Sequence, residues 1–321
     1  MNQPDELKVS VVVPVYNGGR TIRSTVECLL GQTLRPHQII VVDDGSTDDT
    51  AEVLEGFGGR ITLLRKSNGG PASARNVGVR ACTGELIAFT DSDCLPDKDW
   101  LRELVKGFYA PGIAGAGGTV RGVAPGLVGE YTDMIGGLNP GFAPGGVVTR
   151  LVTANACFRR DALLGVNMFD ERFRKPGGED TELSIRLRSA GYELSYVERA
   201  VVLHHHRQTI RGFLKTIANY GEGHYLIERL WPEDPWIAKP RQELFRSAVA
   251  VRSMVRLGMA YRKRYDRRRA ALFSFLDHYR HVSYIWGYLR GRNNHRSHGH
   301  LMETVESRAR AADAPQISNP L

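Results

Sequence analysis

The sequence predicts an α/β fold with a mostly parallel, Rossmann-like sheet and a helical C-terminal extension, and three observations support this prediction. Apolar runs alternate with segments of helical periodicity between residues 8 and 95. Each run places Val, Ile or Leu at consecutive positions, which is typical of parallel strands buried on both faces. Several runs end in polar residues, and ligands bind beyond the carboxyl ends of such strands, so we expect the functional site at that edge of the sheet.

The predicted elements of this part follow one another at short spacing. Turn residues separate them, and Pro71 stands where a helix can begin. Ser46 or Thr47 is expected to cap the second helix. In order, the elements are strand Val9–Val15, helix Thr21–Leu30, strand Ile39–Asp43, a helix ending at Phe57, strand Ile61–Leu64, a helix from Pro71 and strand Leu86–Thr90.

The second half of the chain has a different organisation. Gly and Pro are dense in residues 111–149, which predicts strands broken by long loops, one of them over the site. Regular elements return at residues 150–206, and the pattern is helical from Ile210 onward. The expected elements are a strand near Val152–Phe158, a helix from about Asp180 to Ala190 and a strand near Leu194–Leu203.

The composition is that of an ordinary globular protein. Of 321 residues, 42% are hydrophobic and 24% are charged. Cys28, Cys82, Cys94 and Cys157 form no C-x-x-C pair, so we expect reduced thiols and no zinc site. The apolar run Val9–Val15 is too short for a signal-peptide core or a membrane span, and we expect a cytoplasmic protein.

Positive charge is concentrated near the C-terminus. Residues 239–300 contain 15 Lys and Arg and 3 acidic residues, a net charge of +12, whereas the whole chain carries +8. Segments 246–262 and 271–290 resemble basic amphipathic helices. Such helices either meet an anionic partner, which is a membrane surface or a phosphate-bearing acceptor, or pack on their own domain with solvated arginines. We expect no nucleic-acid partner. The apolar stripe predicted in the second segment is Leu272, Phe275, Leu276, Tyr279, Val282, Trp286 and Leu289.

Asp91-Ser92-Asp93 directly follows the strand predicted at Leu86–Thr90. Two carboxylates separated by one residue can reach into one cleft where the chain turns. Their oxygens suit Mg²⁺ or Mn²⁺, which can bridge a diphosphate. The alternative is a solvated turn with an aspartate cap. The position at the ligand-binding edge of the sheet favours the metal site.

Two further polar segments fall at the same edge. In the segment from Asp43 to Asp48, an aspartate can accept a hydrogen bond from a nucleobase, or the segment is a turn that caps a helix. Asn68-Gly69-Gly70-Pro71 leads into a helix N-terminus, whose amides and dipole favour phosphate, and Arg75 adds a cation.

Two motifs of the second half complete the candidate set. Glu179 and Asp180 stand where a helix is expected to begin. Asp180 is either a general base for an acceptor hydroxyl or a first-turn residue favoured by the helix dipole. The run from His204 to His206 ends the last predicted strand, where alternation places His204 and His206 on one face. One of them can offer a neutral nitrogen to a metal, or the run is merely exposed.

Taken together, these segments resemble the family 2 glycosyltransferases, which have the GT-A fold. The resemblance covers about residues 8–225, in the order and approximate spacing of the motifs. The segments that carry it are SVVVPVYNGGRTI, IIVVDDGSTDDT, NGGPASARNVGVRACTGELIAFTDSDCLPDKDWL, GGEDTELSIRLRSAGYEL and VVLHHHR.

The resemblance implies an inverting transferase that uses a divalent Mn²⁺ or Mg²⁺, a nucleotide-sugar donor (a UDP-sugar favoured) and a glycan, lipid-linked or other hydroxyl acceptor. It implies a catalytic domain at 1–225, with a nucleotide-sugar-binding half at about 8–110 and an acceptor half at 111–225. Beyond it, charge and helical spacing predict a basic amphipathic helical extension at 226–310 and a flexible tail at 311–321. The implied site residues are Pro14, Tyr16, Asn17, Asp43 or Asp44, Arg75, Asp91 and Ser92 for the donor, Asp93 with Asp91 and His204 or His206 for the metal, Asp180 as the base and Glu179 beside it.

The sequence departs from the family pattern in one loop. Relatives usually have glycines ahead of the Phe-Asp-Glu that corresponds to residues 169–171, where this chain has Val166-Asn167-Met168. The Q-x-x-R-W motif of the processive synthases is not visible, which favours a single addition in glycan, glycolipid or polysaccharide synthesis. Two other interpretations remain: a sugar-phosphate nucleotidyltransferase, which releases pyrophosphate, and a non-catalytic nucleotide- or glycan-binding protein.

Overall fold

The computed structural model describes residues 7–123, 126–237 and 258–312, and it confirms the predicted α/β fold. The strands are β1 (Val9–Val15), β2 (Gln38–Asp43), β3 (Thr62–Arg65), β4 (Leu86–Phe89), β5 (Cys94–Pro96), β6 (Ile113–Gly122), β7 (Gly141–Phe142), β8 (Val148–Arg150), β9 (Ala156–Arg159) and β10 (Glu193–His204). The helices are α1 (Ile22–Leu30), α2 (Thr50–Glu55), α3 (Pro71–Ala81), α4 (Trp100–Val105), α5 (Leu127–Ile135), α6 (Arg160–Gly165), α7 (Glu179–Ser189), α8 (Ile210–Leu230) and α9 (Arg267–Ala312).

An eight-stranded sheet has the strand order β3-β2-β1-β4-β9-β6-β10-β5, and β7 pairs with β8 in a small hairpin. The strands β3, β2, β1 and β4 are parallel, as are β6 and β10. β9 is antiparallel to both β4 and β6, and β5 is antiparallel to β10. Because β9 reverses direction between its two neighbours, β6 and β10 point the same way as β1, β2 and β4. All five strands therefore end at one edge of the sheet.

The valine run of β1 reflects burial on both faces of the sheet. All seven residues of β1 are buried. Val11 and Val13 belong to an apolar core that includes residues of α1 and α4, whereas Val12 belongs to the core on the other face, with residues of α3 and α7. A strand with one exposed face would alternate apolar and polar residues, so helices on both faces explain the continuous run.

The structure corrects two local predictions. α2 begins at Thr50 with Asp49 as its N-cap, so neither Ser46 nor Thr47 caps it; both instead bond to Asn17. Residues 111–149, expected as strands broken by loops, contain the ten-residue strand β6 and the nine-residue helix α5.

The C-terminal part of the described chain is helical, as predicted. α9 buries Phe273 and Leu276 in a cluster with Tyr131 of α5 and Phe213 of α8. None of the described helices is long and apolar enough to span a membrane. Residues 238–257, which hold most of the helix predicted at 246–262, lie outside the described residues, as does the expected tail beyond residue 312.

The apolar stripe predicted along residues 271–290 is only partly buried. Leu276 is fully buried and Tyr279, Val282, Trp286 and Leu289 are exposed. The buried face of α9 is formed by Ala270, Phe273, Leu276 and Asp277, of which only Leu276 belongs to the predicted stripe.

Candidate active site

The turn after β1 forms one end of the site. Tyr16 exposes 53% of its surface, and Asn17 has a left-handed backbone with φ of 52°. The Asn17 amide donates to Ser46 Oγ at 2.9 Å, and Asn17 Oδ1 accepts from the Thr47 amide at 2.8 Å. These bonds tie the ends of β1 and β2 together. Pro14 is buried within β1, so the exposed ring of Tyr16 is the apolar surface that this turn offers to a ligand.

Asp43 and Asp44 are both buried at the end of β2. Asp43 Oδ1 accepts from the amide three residues later at 2.9 Å, which closes the turn. The Asp44 carboxylate accepts from Lys66 Nζ at 2.6 Å and from the amides of Gly69 and Gly70 at 2.9 and 2.8 Å. Asp44 thus fastens the glycine turn ahead of α3 to the end of β2.

The Asp91-Ser92-Asp93 turn joins β4 to β5 and is held by its backbone. The Cys94 amide donates to the Asp91 carbonyl at 3.1 Å. The Thr25 hydroxyl lies 3.0 Å from the Ser92 carbonyl and 2.7 Å from the Cys94 carbonyl. The carboxylates of Asp91 and Asp93 remain 32% and 21% exposed, so solvent and ligands can reach both.

β10 brings a histidine to this turn, because His204 pairs with Cys94 of β5. His204 Nε2 lies 3.4 Å from Asp93 Oδ1. His204 Nδ1 lies 2.8 Å from His206 Nδ1, and His206 Nε2 lies 2.8 Å from Asp133 Oδ1. Both nitrogens of His206 are therefore engaged, whereas His204 turns one nitrogen toward Asp93.

When both rings are neutral, one arrangement of protons satisfies these hydrogen bonds. The Asp133 carboxylate accepts from His206 Nε2, and His206 Nδ1 accepts from His204 Nδ1. In that arrangement the lone pair on His204 Nε2 faces Asp93. Burial lowers the pKa of His204, against the opposing charge of Asp93, and favours the neutral ring that binds metals. His206 and Asp133 orient this ring, as outer partners do around metal sites.

The donor atoms at this point suit a divalent cation. Ligand atoms of Asp93, His204 and Cys94 lie within 4.8 Å of one another. Burial raises the pKa of Cys94 well above its usual value, and its soft sulfur suits neither Mn²⁺ nor Mg²⁺. A carboxylate oxygen and a neutral imidazole nitrogen, with Asp91 close by, fit Mn²⁺ or Mg²⁺.

Arg75, on α3, links the two acidic motifs. The side chain is 4% exposed; its Nη1 donates to Glu179 Oε1 and its Nη2 donates to Asp91 Oδ1, each at 2.9 Å. The guanidinium carbon lies 5.7 Å from the centre of the Phe169 ring. Arg75 thereby holds the Asp91 turn against the N-terminus of α7.

Glu179 and Asp180 form the first turn of α7, after two glycines with positive φ. Glu179 is buried, and its second oxygen accepts from the Gly177 amide at 2.8 Å. Burial, reinforced by the charge of Asp180, raises the pKa of Glu179. Asp180 is partly exposed, and its Oδ1 accepts from the Thr181 amide at 2.7 Å. Of this pair, Asp180 is the carboxylate open to an acceptor.

Three residues near these groups were missed by sequence reasoning: Asp133, Arg150 and Tyr220. Tyr220 of α8 packs on the turn ahead of Glu179, because a Cβ added at Gly177 would stand 2.6 Å from its ring. Burial, reinforced by the charges of Asp180, Glu179 and Asp91, raises the pKa of Tyr220, and Arg150 of β8 adds a positive charge nearby. No local motif marks these three residues, since each comes from an element distant in sequence.

Comparison with known proteins identifies related chains. Residues 10–164 match the family described as glycosyl transferase family 2. The pre-mycofactocin glycosyltransferase of Mycobacterium tuberculosis is 34% identical over 227 residues, which are 68% of this chain and 47% of the relative. Glycosyltransferase AglE of Haloferax volcanii is 29% identical over 206 residues, 61% of this chain and 66% of the relative. The chain thus spans 47% to 66% of the length of these relatives.

Two solved structures share the fold. The mannosyltransferase PcManGT from Pyrobaculum calidifontis, in complex with GDP-Man and Mn²⁺, has a TM-score of 0.58 at 18% identity over 98% of this chain and 83% of its own. GalNAc-T7, solved with UDP, GalNAc and Mn²⁺, has a TM-score of 0.53 at 18% identity over 71% of this chain and 48% of its own. These likenesses show the GT-A fold. The family match places residues 10–164, about half of the chain, among the family 2 glycosyltransferases.

Proposed function

We propose that this chain is an inverting glycosyltransferase that moves a hexose from a nucleotide-diphosphate donor, a UDP-sugar favoured, to an acceptor hydroxyl. The observation that carries the proposal is the position of Arg75, which lies 2.9 Å from both Asp91 and Glu179. It brings the Asp91–Asp93 turn beside Asp180, although the two come from different halves of the domain. A single displacement at an anomeric carbon needs one base and stabilisation of the leaving group, and this cleft supplies candidates for both.

In this proposal the donor nucleotide lies at the ends of β1 and β2. The exposed ring of Tyr16 offers an apolar face to the base. Arg75 acts on the donor through Asp91, which it holds in place at 2.9 Å. The other donor-side residues are Pro14, Asn17, Asp43 or Asp44, Asp91 and Ser92.

Asp180 is the proposed general base. Its carboxylate takes the proton of the acceptor hydroxyl as that oxygen attacks the anomeric carbon, and the bond to the nucleoside diphosphate breaks with its electron pair on the departing phosphate. The Thr181 amide, 2.7 Å from Asp180 Oδ1, orients the carboxylate. Glu179 supports this turn from the buried side.

Asp93 and His204, with Asp91 beside them, would hold Mn²⁺ or Mg²⁺. A divalent cation there offsets the negative charge of the leaving diphosphate. Support comes from the donor set of these residues and from the Mn²⁺ present in PcManGT and GalNAc-T7. In this assignment His206 orients His204 and does not bind the metal itself.

We expect Asp180→Asn to lower kcat by about 10²- to 10⁴-fold and to leave donor binding intact, because the amide keeps the shape of the carboxylate but cannot take up the proton. Release of nucleoside diphosphate from a panel of UDP-, GDP- and dTDP-sugars with Mn²⁺ measures turnover, and calorimetry measures binding. Asp170→Asn is the matched control, since Asp170 pairs with the exposed Arg172 at 2.6 Å.

Undiminished turnover in Asp180→Asn would falsify the base assignment. Release of pyrophosphate in place of nucleoside diphosphate would identify a nucleotidyltransferase. Donor binding without any product would identify a non-catalytic binding protein.

The proposal extends to the acceptor and the place of action. We assign a single addition to a glycan or lipid-linked acceptor, in glycan or polysaccharide synthesis, at the cytoplasmic face of a membrane. Residues 239–300, with a net charge of +12, would meet its anionic surface. The catalytic domain is proposed at 1–225, with donor and acceptor halves at 8–110 and 111–225, and the helical extension at 226–310.

A further inference from the structure

α9 presents an apolar stripe that remains substantially exposed. Tyr279, Val282, Trp286 and Leu289 are 40%, 44%, 58% and 39% exposed, and they follow one another at intervals of three and four residues. Residues at this spacing lie along one face of a helix. The stripe is therefore a continuous surface along α9 and not a set of scattered apolar positions.

The chain just ahead of this stripe is strongly basic. Arg262, Lys263, Arg264, Arg267 and Arg268 are all exposed. The acidic residue among them, Asp266, is already bonded to Arg269. An exposed cationic cluster that precedes an apolar stripe with Trp and Tyr along the chain matches the surface of an anionic bilayer, which attracts the cations electrostatically and takes aromatic rings at headgroup depth.

The other side of α9 packs on α8 with the two backbones in close contact. A Cβ at Gly287 would stand 1.8 Å from the Ala218 carbonyl oxygen, and one at Gly221 would stand 2.0 Å from the Tyr284 carbonyl oxygen. Each helix thus meets the backbone of the other through glycine. A displacement of α9 must be followed by α8, because closely packed backbones have no side chains that can adjust between them.

α8 in turn meets the glycine turn that precedes Asp180. A Cβ at Gly223 would stand 1.9 Å from the Gly177 carbonyl oxygen, and one at Gly178 would stand 3.2 Å from the Gly223 Cα. The backbone of α8 therefore forms the support on which the first turn of α7 rests.

Glu222 of α8 connects α9 to the turn ahead of α7 through ion pairs. Lys175 Nζ lies 3.1 and 3.0 Å from its two oxygens, and Arg290 Nε donates to its Oε2 at 2.7 Å. The Arg290 guanidinium carbon lies 4.6 Å from the centre of the exposed Trp286 ring. Contacts therefore run from the apolar stripe, through Trp286, Arg290, Glu222 and Lys175, to the turn that presents Asp180.

We propose that the exposed face of α9 docks on an anionic lipid bilayer and that Glu222 is a positioning residue, which transmits docking to the Lys175–Gly178 turn and so to Asp180. The inference rests on the proposed transferase function. Membrane contact by Trp286 fixes Arg290, Arg290 fixes Glu222, and Glu222 fixes Lys175. The bilayer then increases turnover in addition to holding the protein near its acceptor.

The test compares the wild-type chain with Glu222→Gln and with Glu228→Gln. Glu228 is the matched control, because it joins α8 to α9 through the Tyr288 hydroxyl at 2.5 Å, a bond that does not involve the Lys175–Gly178 turn. Flotation measures binding to vesicles of phosphatidylglycerol and phosphatidylcholine, and nucleoside diphosphate release measures kcat and the donor KM. Amide exchange of residues 175–180 reports the turn directly.

We expect vesicles with phosphatidylglycerol to raise kcat of the wild type by at least about fivefold, the lower range of couplings between two sites. They should also slow exchange at 175–180. Glu222→Gln should float with the same vesicles and lose both responses, whereas Glu228→Gln should keep both. Trp286→Asp should float less.

Equal responses in Glu222→Gln and wild type would overturn the coupling. Equal flotation with pure phosphatidylcholine, or a wild-type chain that does not float, would overturn the docking. In the latter case, a dimer lost in Trp286→Asp would identify a second copy as the occupant, and a monomer would point to residues 238–257. No turnover in any chain, with the exchange response intact, would refute the proposed transferase and leave the coupling standing.

Discussion

At the scale of single residues, Arg75 is buried between two carboxylates whose charges it compensates. Arg75→Met removes the cation and keeps much of the volume. Glu179 is 4% exposed, so it would be left buried without a counter-charge, and we expect a loss of about 3–5 kcal/mol in the free energy of unfolding. Arg172→Met is the control, because Arg172 is 57% exposed and pairs with Asp170 at the surface, where the loss is about 0–1 kcal/mol. Urea unfolding measures both, and similar losses would contradict the role of Arg75.

Glu222 gives the protein a pH-dependent contribution to stability. Burial acts to raise the pKa of Glu222, but the hydrogen bonds and charges of Lys175 and Arg290 outweigh it and leave the pKa lowered. Such a carboxylate binds a proton less readily in the folded state than in the unfolded state. It therefore stabilises the fold above the unfolded pKa of about 4.3, and the contribution is lost as the pH falls through the folded pKa.

We accordingly expect wild type and Glu222→Gln to differ by a constant free energy of unfolding above about pH 5, and by less as the pH falls below about 4.3. Urea titrations at successive pH values measure the difference. A gap that persists unchanged well below that range would show that the Glu222 pKa is not linked to folding.

Sequence distance decides which of these residue roles could be predicted. Asp91 and Asp93, or Glu179 and Asp180, are neighbours at the end of a strand or the start of a helix, and local patterns are enough to find them. The partners of Arg75 are different, because Asp91 and Glu179 reach it only after α3 and α7 pack on the sheet. Until that packing is known, a buried clamp and a phosphate-binding cation look alike in the sequence.

At the scale of elements, glycines determine how closely α8 and α9 approach. A Cβ at Gly287 would stand 1.8 Å from the Ala218 carbonyl oxygen, which is backbone and cannot turn away. We expect Gly287→Ala to reduce the free energy of unfolding by about 1–3 kcal/mol, as overpacking does. Gly165→Ala is the control at the end of α6, where nothing lies within 4 Å of an added Cβ and a gain of up to about 1 kcal/mol is expected. Stabilisation at both positions, measured by urea unfolding, would show that α8 and α9 can accommodate a methyl group at Gly287.

Periodicity predicts that a helix forms and leaves open which face it buries. In α9 the buried positions include Phe273 and Asp277, while the stripe with Trp286 faces outward. Aromatic and aliphatic residues occupy both faces, so hydrophobicity could not separate them. α5 was missed for the opposite reason: Val128 and Tyr131 are buried at helical spacing, but the surrounding Gly-rich chain concealed the pattern.

The loop that departs from the family pattern has an unusual backbone. Asn167 and Met168 have φ of 63° and 57°, the left-handed region that glycine adopts freely and that costs other residues about 1–2 kcal/mol. The Met168 amide donates to the Leu163 carbonyl at 2.8 Å, which holds this conformation. Glycine would adopt these φ values without strain, so Asn167 and Met168 raise the conformational cost of this loop.

At the scale of the whole molecule, the two halves of the sheet differ in how well sequence predicts them. β1 to β4 repeat one local pattern of strand and helix, and parallel order follows from connections of that kind. The insertion of β9 between β4 and β6 depends on contacts such as Ala88 with Cys157 and Ala116 with Cys157, which no local pattern records. The same is true of β5 and β10, whose pairing sets His204 beside Asp93.

The assembled site leads to a prediction about metal and nucleotide together. In the proposed site Asp93 and His204 would hold a cation whose charge attracts the diphosphate, so UDP should stabilise the fold strongly with Mn²⁺ and only weakly with EDTA. At a concentration 100 times its dissociation constant a ligand adds about 2.7 kcal/mol to the free energy of unfolding.

We expect Asp93→Asn to lose the metal-dependent part of the rise in Tm. Asp133→Ala should weaken Mn²⁺ binding by about 10- to 100-fold, because it removes the partner that orients His206 and thereby His204. Asp97→Asn, at an exposed position of the same segment, should behave as wild type. Thermal unfolding across a Mn²⁺ titration measures all four chains, and an equal rise in Tm with UDP in EDTA would show that these residues do not serve a metal.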